Sequence, residues 1–359
     1  PHGAHHHPGH CPAHPASFLR LLCTSDDYYN AIIHWQKQRN GVTGLTKECI
    51  GYENGVLGGV ISALNVLCSK GDNVLLHSPT YIGFTGCLTN NGYHIVHSPL
   101  VKDEAGIYRM DFADMEKKIV ENNIHATVFC SPHNPCGRVW ERWELEKAME
   151  LFQKHDVMVI CDEIWSDIIL EGHKHIPMQS ISEDARQRTV ALYAPSKTFN
   201  LAGLIGSYHI IYNKALRDRV DKESSLSHYN SMNVLSMHAL VGAYTQEGSD
   251  WVDELRQTIT GNVDYACGFI AQHFPRREGA EAPGHLHAVP GLHRVVRSPR
   301  QDHRPGAAGR LGRGRGLAGR PRFPRALPHP HEPGPAPLPG AGGLRPAAKV
   351  RVRGLSEST

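Results

Sequence analysis

Apolar residues recur along the middle of this chain in two rhythms, and their alternation predicts helices and strands in turn. From Asp26, the run Asp-Asp-Tyr-Tyr-Asn-Ala-Ile-Ile-His-Trp-Gln-Lys-Gln-Arg places Tyr29, Ile32, Ile33 and Gln36 on one helical face, and Asn40-Gly41 stops it. Short apolar runs at 74–77, 93–98, 126–130, 157–161, 189–193 and 207–211 read as strands. Helical patterns at 60–67, 111–122 and 141–154 separate them, and residues 214–247 and 251–274 are largely helical. Strand alternating with helix predicts an α/β fold.

The chemistry sits where the strands end. Residues 190–193 deliver one lysine, Lys197, into the turn Ser196-Lys-Thr-Phe-Asn200, which leads to the glycine-bearing segment 201–206. Partial desolvation after a buried strand favours the neutral, nucleophilic amine, which can form a Schiff base. Upstream, Gly51-Tyr-Glu-Asn-Gly-Val-Leu-Gly-Gly59 reads as a glycine-rich turn opening a helix. Its unobstructed backbone amides and the positive end of the helix dipole suit a phosphate, although taken alone these glycines favour a tight strand-to-helix turn. Tyr81 stands just past the strand at 74–77, suited to stacking on a planar ring. The Ser131-Pro-His-Asn-Pro-Cys-Gly-Arg138 turn holds Asn134 at another strand end, and Asp162 follows four apolar residues at the carboxyl edge of a sheet. That edge is where open α/β sheets bind ligands.

Composition alters this picture mainly at the ends. The chain of 359 residues carries a net charge of +3, with 15 Arg, 1 Lys and 5 acids in 276–359, so this tail holds +11 and residues 1–275 hold −8. The tail contains 13 of the 24 prolines and no Ile, Met, Asn, Tyr, Trp or Cys. Such a segment buries too little apolar surface to offset its ordering entropy. Its arginines invite a nucleic-acid reading, but a set dominated by Arg, Gly, Pro, Ala, Leu and His is what GC-rich DNA yields in the wrong frame. The expectation is a frameshift after Pro275, a second before Thr24, and no nucleic-acid partner. Residues 1–23, rich in His and Pro, read as lying outside the fold, with no metal site expected among them. The expected organisation is thus 1–23, a large domain at 24–275, and the tail at 276–359.

Nine cysteines without CxxC spacing read as buried thiols rather than disulfides or a zinc site. No apolar run reaches membrane-spanning length, and the N-terminus lacks a signal-peptide pattern, so a soluble cytoplasmic protein without membrane contact is expected.

Taken together, the glycine-rich turn, Tyr81, Asn134, Asp162 and Lys197 are the parts that pyridoxal phosphate requires. Residues 26–275 resemble the aminotransferase-type fold of pyridoxal-phosphate enzymes (fold type I). Within it they are most similar to the MalY/PatB group of cystathionine β-lyases and C–S lyases. The resemblance is carried by Ser131-Pro-His-Asn-Pro-Cys-Gly-Arg-Val-Trp140, Cys161-Asp-Glu-Ile-Trp-Ser-Asp167, His175-Ile-Pro177 and Ser196-Lys-Thr-Phe-Asn200. It implies a three-layer α/β/α sandwich with a mostly parallel sheet, and a homodimer acting on an amino-acid substrate. Lys197 would anchor the cofactor and shuttle the α-proton, Asp162 would pair with the pyridine nitrogen, and Asn134 would bond the 3-oxygen. Tyr81 would stack on the ring, with amides near Gly55, Val56 and Leu57, and Ser196, at the phosphate.

Departures from the family pattern matter as well. Ile205 replaces a phosphate-gripping arginine, Trp165 a tyrosine, and Ala194 a serine. The first two favour the lyase group over a standard transaminase. Nothing after Pro275 resembles the family's small C-terminal domain with its carboxylate-binding arginine, and no counterpart of its N-terminal tyrosine stands before Thr24. The implied function is C–S β-lysis of S-substituted cysteines to thiol, pyruvate and ammonia, within methionine biosynthesis. An aminotransferase and a catalytically dead regulatory protein are the alternatives.

Overall fold

The computed structural model describes residues 25–226 and 230–273. The expectations for 1–23 and 276–359 lie outside the described residues.

In chain order the elements are α1 (Asp26–Asn40), β1 (Ile50–Asn54), α2 (Val56–Leu67), β2 (Asn73–Ser78), α3 (Ile82–Asn90) and β3 (His94–Pro99). A small hairpin of β4 (Val101–Lys102) and β5 (Tyr108–Arg109) precedes α4 (Phe112–Glu121), β6 (Ala126–Cys130), α5 (Arg142–Lys154) and β7 (Met158–Asp162). Then come α6 (Glu183–Arg188), β8 (Thr189–Tyr193), β9 (Gly206–Ile210), α7 (Lys214–Leu226), α8 (Val234–Ala243) and α9 (Gln246–His273).

Seven strands form one sheet in the order β1-β9-β8-β7-β6-β2-β3. The run from β8 to β3 is parallel throughout, whereas β9 pairs antiparallel with both β8 and β1. Successive side chains leave a strand on opposite faces, so the two faces sort cleanly. Val74, Leu76, Val128, Ile160 and Leu192 point into one core with α2, α3 and α7. Leu75, Phe129, Val159 and Cys161 point into the opposite core with α4 and α5, while Ala191, Tyr193, Tyr208 and Ile210 meet α1, α8 and α9. Parallel strands buried on both faces explain their near-continuous apolar runs. This is the three-layer α/β/α sandwich that the resemblance implied.

Two local expectations need correction. The buried face of α1 is Tyr28, Ile32, Trp35, Gln36 and Asn40, rather than the stripe through Tyr29 and Ile33. Trp35 decides the rotation: its ring stacks on Tyr244 at 4.4 Å and 6°. The stop was as expected, with Gly41 in the left-handed region at φ 70°. Secondly, residues 50–54 form an edge strand instead of a glycine turn, paired in full register with β9. Gly51 looked like a turn residue, but it makes room across the ladder, since a Cβ there would lie 2.3 Å from the His209 ring.

The chain walks from β2 to β3, then returns past β2 to β6 and continues through β7 and β8. The sheet order therefore reverses between β2 and β6, leaving a crevice at their carboxyl ends. The loops after these two strands carry Tyr81 and Asn134.

Candidate active site

A cavity of about 340 Å³ opens at this edge. Gly55, Val56, Leu57, Tyr81, Asn134, Asp162, Ser196 and Lys197, all singled out from the sequence, line it together, with Cys130, Trp165 and Ile205 among the other wall residues.

Asp162 ends β7 and is 6% exposed. Among the described residues its side chain accepts one hydrogen bond, at Oδ1 from the Ile164 amide at 3.0 Å. Burial pushes its carboxyl up to about 7, an effect only partly countered by that bond and by the charge of Lys197. A carboxyl in this state favours a cationic or N–H-bearing partner.

The N-terminus of α2 faces the cavity through Gly55, Val56, Leu57 and Gly58. Gly55 is the N-cap at φ 80°, and the first turn contains no acidic residue. The first amides of a helix have no partners within it, so their dipole favours an anion. Ile205 roofs this cradle: a Cβ on Gly55 would come within 3.3 Å of its Cγ2.

Tyr81 caps α3 and meets Phe84 edge-on at 5.5 Å. A Cβ on Gly83 would lie 2.2 Å from the Tyr81 ring, so that glycine lets the ring lie back along the helix. Asn134 is half-buried, and its backbone N–H donates to the Cys130 sulfur at 3.5 Å.

Lys197 is exposed, contrary to the half-buried amine expected from its place after β8. The turn after Pro195 carries it past the sheet edge, where its ammonium lies 5.6 Å from the Trp165 ring centroid. Its neighbours are fixed instead: Ser196 is buried and Thr198 donates to the buried Asp167 at 3.0 Å. Asp167 also accepts from Trp35 of α1 at 3.2 Å.

Sequence reading passed over several supports. Glu163 accepts from Tyr193 and contacts His175 Nε2, both at 2.6 Å, and receives the Met178 amide at 3.0 Å. Glu53 and His209 pair across β1 and β9. An acid or histidine inside an otherwise apolar strand was the available signal, but its partner lies too far along the chain for any local pattern. Among the described residues no three metal-ligating side chains converge, and the seven described cysteines are free thiols.

This is the layout of an open α/β protein that takes its ligand at the switch point of the sheet. The family model for aminotransferase class I and II matches residues 23–274, and the chain belongs to that family. Cystathionine beta-lyase PatB of Bacillus subtilis is 36% identical over 247 residues, covering 69% of this chain and 63% of the relative. Protein MalY of Escherichia coli is 30% identical over 252 residues, covering 70% and 63%. This chain thus spans less than two thirds of either relative. Cystalysin from Treponema denticola, whose crystal structure contains pyridoxal 5'-phosphate, matches with a TM-score of 0.68 at 31% identity, covering 72% of this chain and 65% of cystalysin.

Proposed function

We propose that this chain carries the cofactor-binding part of a pyridoxal-phosphate-dependent C–S β-lyase acting on S-substituted L-cysteines such as cystathionine. The observation that carries the reading is Asp162: a buried carboxyl with one hydrogen bond, sharing a cavity with a lysine and an acid-free helix N-terminus. These features fit the group. Asp162 would pair with the ring N–H, the α2 amides would hold the phosphate, Tyr81 would stack, and Asn134 would bond the ring oxygen. Pyridoxal phosphate, when bound, supplies an electron sink for charge developing at the substrate's α-carbon. Lys197 Nζ would hold the cofactor and would serve as the base that accepts the substrate's α-proton. Trp165 stands beside the lysine, its ring centroid 5.6 Å from Nζ. Loss of the β-thiolate, which leaves as the thiol with a proton, and hydrolysis of the remaining three-carbon fragment by one water would give pyruvate and ammonia.

Names of relatives support the lyase chemistry, and the replacement of a phosphate-gripping arginine by Ile205 favours it over transamination. Among the described residues no helix is long and apolar enough to cross a membrane. A cytoplasmic homodimer in methionine biosynthesis completes the proposal, drawn from the family resemblance.

The test is cofactor loading followed by turnover of cystathionine without added keto acid. Wild type should show a lysine-dependent absorption band and release thiol and pyruvate together. Lys197→Ala should lose the band and at least about a hundredfold of the rate, as expected for removing a positioned proton-transfer group. Turnover that requires a keto acid and releases no thiol would make it an aminotransferase. A cofactor band with neither reaction would point to the regulatory alternative.

A further inference from the structure

The buried pair of Glu53 and His209 has no role in the lyase scheme. Glu53, on β1, and His209, on β9, are each 1% exposed. Glu53 Oε1 meets His209 Nδ1 at 2.8 Å, and Glu53 Oε2 accepts from Ser62 of α2 at 3.0 Å. His209 Nε2 lies 3.5 Å from Asp221 of α7. The backbone of Glu53 is tied down as well, its carbonyl accepting from the Ser207 hydroxyl at 2.9 Å and from the Gly55 amide at 3.0 Å. Two glycines close on the pair. A Cβ on Gly51 would strike the His209 ring, and one on Gly59 would lie 3.1 Å from Glu53 Cγ and 2.6 Å from Leu192 Cδ2.

We propose that Glu53 and His209 are a positioning pair for the anion cradle, joining β1 and the first turns of α2 to β9 and α7, so that the amides after Gly55 hold a phosphate. The inference rests on the cofactor reading above and adds residues to it. The pair settles two problems at once. It fixes the angle at which α2 meets the sheet, through Ser62 on one side and the Gly55 amide on the other. It also cancels a carboxylate two residues from the cradle, which unpaired would repel a phosphate dianion. Burial alone would discharge His209, but Asp221 and Glu53 more than offset it and raise its imidazole to about 9. Both carboxylates thus favour the imidazolium form of His209.

The role predicts a selective loss. Pyridoxal and pyridoxal 5'-phosphate share the ring and the aldehyde and differ in the phosphate, so the ratio of their affinities isolates the cradle. Affinities are read from the quenching of protein fluorescence, since Trp165 lines the cavity. Glu53→Gln should weaken the phosphate ester by about tenfold, the scale of one hydrogen bond to a charged group, and pyridoxal by less than about twofold. Ser62→Ala, a half-buried and milder change, should move the ratio in the same direction by about threefold. If Glu53→Gln fails to fold, as circular dichroism would show, Ser62→Ala decides. An unchanged ratio in the folded variants, or equal weakening of both ligands, would overturn the positioning role. Wild-type protein that binds neither ligand would overturn the cofactor reading and this inference with it.

Discussion

Ile205 shows how one residue can carry both a departure from the family and a local cost. It caps a short turn at φ 59° and is 55% exposed, so little apolar burial compensates for its conformation. A β-branched side chain in the left-handed region costs about 1–2 kcal/mol. Asparagine adopts that region readily. Ile205→Asn should therefore raise stability by about 1 kcal/mol, seen as a higher urea midpoint with an unchanged slope. A lower midpoint would mean that the Ile205 methyl over Gly55 packs more tightly than its exposure indicates. The neighbouring residues Tyr81, Asn134, Asp162 and Lys197 were legible from sequence because each stands within a few residues of a short apolar run. The strand ends there, and whatever follows reaches the carboxyl edge. Ile205 itself was legible only through the family pattern, since nothing in the run 201–206 announces a strained backbone.

At the scale of elements, α1 holds the lysine turn from behind. Trp35 donates to Asp167, Asp167 accepts from Thr198, and Arg39 approaches Asp167 at 4.0 Å. Removing the carboxylate strands two buried donors next to Lys197. Asp167→Ala should cost about 2–3 kcal/mol in urea unfolding, and Thr198→Val, which removes one hydroxyl, about 1 kcal/mol. Equal costs for the two would place the main burden on the hydroxyl and undercut the link to α1. Sequence periodicity found α1 and its end at Gly41, yet misjudged which side it buries. That side is set by Tyr244 and Asp167, more than a hundred residues away in the chain. The same reason hid β1: Glu53 looks like a turn residue until His209, 156 residues on, stands opposite it. Local apolar rhythm reports which segments are buried on both faces. It is silent about polar pairs between strands, which depend on register.

For the whole molecule, buried histidines set how stability follows pH, and they pull in opposite directions. His77, 4% exposed, is the last residue but one of β2, and His133, 1% exposed, follows β6; neither nitrogen of the first nor Nδ1 of the second has a hydrogen-bond partner among the described residues. Burial lowers His77 to about 4, and burial with the charges of His77 and Arg138 lowers His133 to about 3. Between pH 6.5 and those values the unfolded chain binds these protons and the folded chain does not. Their contribution is thus complete above 6.5 and is lost as pH falls, by about 1.4 kcal/mol per pH unit for each group. Asp162, raised to about 7 by burial, and Asp167, also raised by burial, oppose them over part of that range, because the folded state keeps these protons while the unfolded state has released them. His209 has the reverse sign. Raised to about 9, it contributes fully below 6.5 and loses its contribution as pH climbs to 9. Stability without cofactor should therefore peak near pH 6.5 and fall on both sides. His77→Phe keeps a ring in the apolar contact with Phe129 and Trp140 while removing two unsatisfied nitrogens. It should raise stability at neutral pH by about 1–2 kcal/mol and flatten the acid limb by one proton's slope, leaving the alkaline limb untouched. Urea midpoints from pH 4.5 to 9 measure both limbs in one series. An acid limb as steep in His77→Phe as in wild type would assign the acid sensitivity to other groups, and His77 and His133 would then be packing features alone.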